Sequence, residues 1–85
     1  MREYKYIIKD EEGIHARPAG LLVKKASEYA CDVSIEANGK KVDAKRIFGV
    51  MGLAAKHGQE IIITTEGDAE EEAIAGMSEF LEQNL

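Results

Sequence analysis

Apolar positions along the chain change period several times, and each change marks an element. Tyr4 to Ile8 is a short β-favouring stretch that Asp10-Glu11-Glu12-Gly13 ends in a loop. From Ala16 the period becomes helical: Ala19, Leu22, Val23, Ala26 and Ala30 form an apolar stripe, while Lys24, Lys25 and Glu28 fall off it. Pro18 suits the first turn of that helix, where its missing N–H would be unpaired anyway. Cys31 to Ala37 then alternates apolar and polar residues, as a half-buried strand does. Asn38-Gly39 tolerates the positive φ angles of a type I′ turn, so Lys40 to Asp43 is expected to return antiparallel as a hairpin. Ile47, Val50, Met51 and Ala54 recur at helical spacing, but Gly49 and Gly52 interrupt them, which predicts a helix of a turn or two with Gly58 available as its cap. Glu60 to Thr65 is a β-branched run and reads as a strand. In the last segment Asp68 and Glu71 make an acidic capping box, and Ala73, Ile74, Met77, Phe80 and Leu81 supply one apolar face.

The resulting order, strand, helix, strand, strand, helix, strand, helix, predicts an α+β fold. Four strands should form one antiparallel sheet, with three amphipathic helices buried against one side and the other side left to solvent. A chain of 85 residues with 45% hydrophobic positions fits a single domain spanning 1–85 and leaves little room for a large internal cavity. Its one cysteine, Cys31, cannot form an internal disulfide, and with only two histidines it cannot build a zinc site, so neither a metal nor a cofactor is expected. A reducing, cytoplasmic setting fits that usage. The opening MREYKYIIKDEEG has no uninterrupted apolar core, so the reading includes no signal peptide and no membrane insertion.

Charge changes the picture further. The net charge is -5, yet residues 13–56 hold eight basic and four acidic residues, and residues 57–85 hold eight acidic ones and no Lys or Arg. The basic middle could face nucleic acid, a membrane surface or an acidic protein, or be a solvated charged face. A pI near 5.0 and only five aromatic residues rank the acidic protein partner first and speak against nucleic acid.

Gly13-Ile14-His15-Ala16-Arg17-Pro18-Ala19 places a histidine just before a helix and an arginine in its first turn. A phosphoryl group on that imidazole would meet the helix N-terminal amides, the positive end of the helix dipole and the Arg17 guanidinium. Neutral imidazole has a ring nitrogen with a free lone pair, and it also leaves readily from phosphorus, so one atom can both accept and release the group. A loop histidine before a helix also occurs as a simple cap or a solvated residue, and the residues alone leave both readings open. His57, with no helix start after it, reads as a surface loop residue.

Across nearly its whole length the sequence resembles HPr, the histidine-containing phosphocarrier of the bacterial sugar phosphotransferase system. The resemblance rests on Gly13-Ile14-His15-Ala16-Arg17-Pro18-Ala19, Asn38-Gly39-Lys40, Ile47-Phe48-Gly49-Val50-Met51 and Gly58-Gln59-Glu60-Ile61. It implies an open-faced β-sandwich and a cytoplasmic carrier that takes phosphate from phosphoenolpyruvate through enzyme I and passes it to a sugar-specific enzyme IIA. On that resemblance His15 is the phosphorylated group, through Nδ1, and Arg17 its anion-stabilising neighbour, with Ala16, Arg17 and Pro18 around the phosphate. Docking is expected on Gly20, Leu21, Ile47, Phe48 and Met51, with Lys24, Lys45 and Arg46 steering a partner. Ile47 and Met51 could equally belong to the core, whereas Phe48 lies off their stripe.

The chain departs from the family at several points. Arg46 stands where many relatives have a serine phosphorylated by a regulatory kinase, and arginine cannot accept that phosphate. The change also removes a helix cap, leaving Asp43 as the only nearby replacement. Gly20 replaces a larger residue, Gly52 a common serine and Ala54 a common glycine. The expected state is a monomeric stoichiometric carrier rather than an enzyme. The alternative is an HPr-like regulatory module that binds a protein through the same surface without a transport role.

Overall fold

The computed structural model describes residues 1–85. Its elements are β1 (Arg2–Ile7), α1 (Ala16–Ala26), β2 (Asp32–Ala37), β3 (Lys40–Asp43), α2 (Ile47–Gly52), β4 (Glu60–Glu66) and α3 (Glu70–Asn84). The strands form one sheet in the order β1-β4-β2-β3, antiparallel at every pairing. β1 and β2 therefore run parallel to one another on either side of β4, which is why each pair of consecutive non-hairpin strands needs a helix to cross between them.

The period-two pattern decides which face is covered. Tyr6, Val33, Ile35, Ala37, Ile61, Ile63 and Thr65 are buried on the helix side. On the opposite face the register aligns Lys5 with Ile62, Ile62 with Glu36 and Glu36 with Lys41, a mostly polar row across the sheet. Leu22, Ala26, Val50, Ala73, Met77 and Leu81 come down from the three helices to close a single cluster of 20 buried residues. Asn38 and Gly39 take φ angles of 52° and 78°, as the hairpin turn requires.

Four expectations about element ends are corrected. Ala30 is exposed and lies beyond α1, which stops at Ala26, where the Ser27 hydroxyl donates to the Val23 carbonyl at 2.8 Å. Asp68 and Glu71 form no capping box: α3 begins at Glu70, and it is the Glu70 carboxylate that accepts the Gly67 amide, at 3.2 Å. Gly58 does not cap α2. The left-handed residue there is Ala54, at φ 52°, while Gly58 turns the chain into β4 and its amide donates to the Ile8 carbonyl. Asp43 likewise does not cap α2, because its carboxylate is occupied by the Lys45 amide at 2.9 Å.

Candidate functional site

The site is built from the loop between β1 and α1. Gly13, at φ 70°, lets the chain turn inward, and a Cβ there would collide with the Ala55 carbonyl oxygen and lie 2.7 Å from the Lys56 Cα. The next amide, of Ile14, donates to that same Ala55 carbonyl at 2.9 Å, and the Ile14 side chain is buried. One residue on, His15 is the N-cap of α1 with an extended backbone, φ -94° and ψ -174°. Its carbonyl accepts the Ala19 amide, and its imidazole makes no hydrogen bond within the protein, leaving the half-buried ring free for an external group.

Beyond the imidazole, the amides of Ala16 and Arg17 have no acceptor in the protein, as expected for the first turn of a helix. Pro18 has no N–H to offer an anion, and its buried ring forms part of the wall of the hollow that His15 and Arg17 line. The Arg17 side chain is exposed and has no acidic partner. A shallow hollow is lined by Asp10, Glu12, His15, Arg17, Leu21 and Asn84, among others. The end of α3 reaches this hollow because the Leu85 carbonyl accepts the Lys9 and Asp10 amides at 2.6 and 2.7 Å. Asn84 and its neighbour Gln83 could not have been found from local pattern, whereas Asp10 and Glu12 stand just upstream of His15 and carried a signal. Their carboxylates repel an anion that Arg17 and the helix amides attract.

Around the site, Phe48 is 86% exposed, Leu21 42% and Met51 40%, so an apolar surface on α1 and α2 is open. Ile47 is only partly buried and packs against the core. Gly20 faces solvent with nothing near its α-carbon to meet a side chain, and Lys24 is exposed. Arg46 is exposed with its guanidinium 3.7 Å from the Asp43 carboxylate, whose charge offsets that of a cation at the α2 N-terminus. Lys45 departs from its expected steering role. Its ammonium points inward and donates to the Tyr29 and Cys31 carbonyls at 2.8 and 2.7 Å, tying the loop between α1 and β2 to the β3–α2 connection. Burial pushes the neighbouring Cys31 thiol up, which keeps it protonated and unreactive. His57 is exposed, with Nδ1 3.2 Å from the Lys9 carbonyl, in keeping with a loop residue.

The arrangement is thus a free imidazole at the N-terminus of a helix that packs on an open-faced antiparallel sheet. The chain belongs to the HPr family of the phosphotransferase system: residues 2–83 match the family described as PTS HPr component phosphorylation site. It is similar to HPr-C-His from Thermoanaerobacter tengcongensis, at 41% identity, TM-score 0.92 and coverage of 98% of this chain and 93% of that one. It is also similar to the phosphocarrier protein HPr from Bacillus anthracis, at 39% identity, TM-score 0.87 and coverage of 94% and 95%. Crh from Bacillus subtilis, a dimer with a swapped domain, matches at 35% identity, TM-score 0.77 and coverage of 100% and 98%. The family is one of phosphocarriers, and its role in the phosphotransferase system comes with it. No helix here is long and apolar enough to cross a membrane.

Proposed function

We propose that this chain is a stoichiometric phosphocarrier in which His15 takes a phosphoryl group from enzyme I charged by phosphoenolpyruvate and hands it to an enzyme IIA. A ring nitrogen lone pair of His15 attacks phosphorus, the bond from phosphorus to enzyme I breaks, and the electron pair leaves with the donor. In the second step a nucleophile of the enzyme IIA attacks the same phosphorus, the bond to His15 breaks as the new one forms, and the imidazole recovers its lone pair. Arg17 and the Ala16 and Arg17 amides stabilise the anionic group, and Phe48, Met51 and Leu21 seat the partner, with Lys24 and Arg46 at the rim. The observation that carries this reading is the unpartnered imidazole of His15 at the N-cap of α1 beside an unpaired Arg17. The carrier works in the cytoplasm and acts as a monomer, although relatives include dimers.

The test is intact-mass analysis after incubation with enzyme I, phosphoenolpyruvate and magnesium. An acid-labile adduct of one phosphoryl group on the wild type, absent from His15→Ala and slowed in Arg17→Ala with the fold intact, is the expected result. The likeness to Crh, named for catabolite repression, favours a second reading, an HPr-like regulatory module binding through the same surface. No adduct with enzyme I active on another carrier would move the assignment there.

A further inference from the structure

The short segment between α2 and β4 contains a backbone conformation that its sequence does not favour. Leu53 closes α2 in right-handed geometry, and Ala54 then takes φ 52°, the left-handed region in which a Cβ crowds the following carbonyl. Only Ala54 and Asn38 among the non-glycine residues do so, and Asn38 has the side chain that tolerates it. Such strain persists only where surrounding contacts fix the chain. Here they lie on both sides: the Asn38 side-chain amide donates to the Leu53 carbonyl at 2.9 Å, and the Ala55 carbonyl accepts the Ile14 amide at 2.9 Å. Gly13 lies so close against Ala55 and Lys56 that no side chain fits between them.

We propose that Ala54 is a positioning residue for His15. Its left-handed turn aims the Ala55 carbonyl at the Ile14 amide, one residue before His15, and so joins the His15 loop to α2. The same helix carries the exposed Phe48 and Met51. A partner seated on α2 therefore meets the imidazole at a distance set by the backbone from Leu53 to Ala55 and by one hydrogen bond. Because transfer needs the donor phosphorus and the ring nitrogen in a narrow range of geometry, loosening this link lowers the rate within the complex and leaves docking intact. The proposal rests on the carrier reading for its kinetic consequence and on the backbone alone for its structural one.

Ala54→Val and Ala54→Gly separate the two, since a β-branched residue resists the left-handed region and glycine enters it freely. Both are measured at a temperature where circular dichroism shows them folded. For Ala54→Val the expected result is at least tenfold faster hydrogen exchange at the Ile14 amide. Its kcat for phosphoryl acceptance from charged enzyme I should fall at least tenfold, with KM unchanged. Ala54→Gly should match the wild type within twofold on all three. Should Ala54→Val fail to fold, Asn38→Gly removes the other restraint while keeping its turn, and a two- to fivefold change in the same direction is expected. Unchanged kcat in a folded variant whose Ile14 exchange has risen would overturn the proposal, as would a matching rise in KM. If the wild type takes no phosphate, the carrier reading fails, and the Ile14 exchange and His15 ring signals then decide: unaltered in the variant, they overturn the link.

Discussion

Replacing Gly13 by alanine is the sharpest test of how the His15 loop is held. Alanine at φ 70° meets the left-handed penalty of about 1–2 kcal/mol. Its Cβ would also press on the Ala55 carbonyl and lie 2.7 Å from the Lys56 Cα, both backbone atoms with no rotamer to escape into. Overpacking of that kind costs about 1–3 kcal/mol, and the reduced freedom of the unfolded chain returns about 0.5–1 kcal/mol. The net loss is about 1–4.5 kcal/mol, which at about 4–8 °C per kcal/mol for a domain of this size lowers Tm by roughly 4–36 °C. Gly20→Ala is the control, because nothing lies within 4 Å of a Cβ there and α1 gains helix propensity of about 0.5–1 kcal/mol. Thermal and urea unfolding of the two variants should therefore move in opposite directions. Charged enzyme I should also phosphorylate Gly13→Ala more slowly at temperatures where the variant is folded, since the clash displaces the chain two residues before His15. A Tm within about 4 °C of wild type, together with normal transfer, would show that the loop reaches its position by some route other than its seat against Ala55.

Lys45→Met should lose about 1.5–3 kcal/mol in urea unfolding, because the Tyr29 and Cys31 carbonyls lose a charged donor, and should leave transfer unaltered; a salt-dependent fall in kcat/KM would instead make Lys45 a steering residue. Phe48→Ala should change stability by less than about 0.5 kcal/mol and raise KM for enzyme I about thirtyfold, as loss of a roughly 2 kcal/mol anchor would. The chain-terminal amine and the Gly67 amide hold the Glu70 carboxyl below the usual carboxylate range. A depressed folded value means that the contribution is full above the unfolded pKa of about 4.3 and is lost as pH falls through the folded one. The Tm gap between wild type and Glu70→Gln should accordingly be constant near neutrality and close below about pH 4, and a gap that widens on acidification would refute the assignment.

Local pattern made the elements legible: most strands and helices bury one face and so write their own period, while β3, none of whose residues is buried, is read from the Asn38-Gly39 turn and β4 from its β-branched run. What it could not give were the ends of elements and the uses of cations. α1 stops at Ala26 through a serine bonding back to the helix, and α3 starts at Glu70 through a carboxylate that also faces β1, contacts that a pattern of apolar positions does not encode. His15 and Arg17 stood out because the loop, the helix start and the arginine are adjacent in sequence. The contributions of Ala55, Gln83 and Asn84 depend on contacts between segments far apart in the chain, and Lys45 reads as a surface charge until its two carbonyl partners are known.

The distribution of charge around His15 bears on release as well as capture. Of the cations expected to steer a partner, Lys45 is turned inward and Arg46 is shared with Asp43, which leaves Lys24 without an acidic partner, as Arg17 is at the site itself. Asp10 and Glu12 line the same hollow as His15. On the carrier reading, a phosphoryl group there is held by Arg17 and two amides and opposed by the carboxylates of the same hollow. A site of purely positive surroundings would bind the group more tightly and raise the barrier to passing it on. Mixed surroundings keep the donor and acceptor states close in free energy, which is the condition for transfer onward. The same logic suits an apolar docking surface as small as Phe48, Met51 and Leu21: enough to orient two proteins for one step, and too little to hold them together after it.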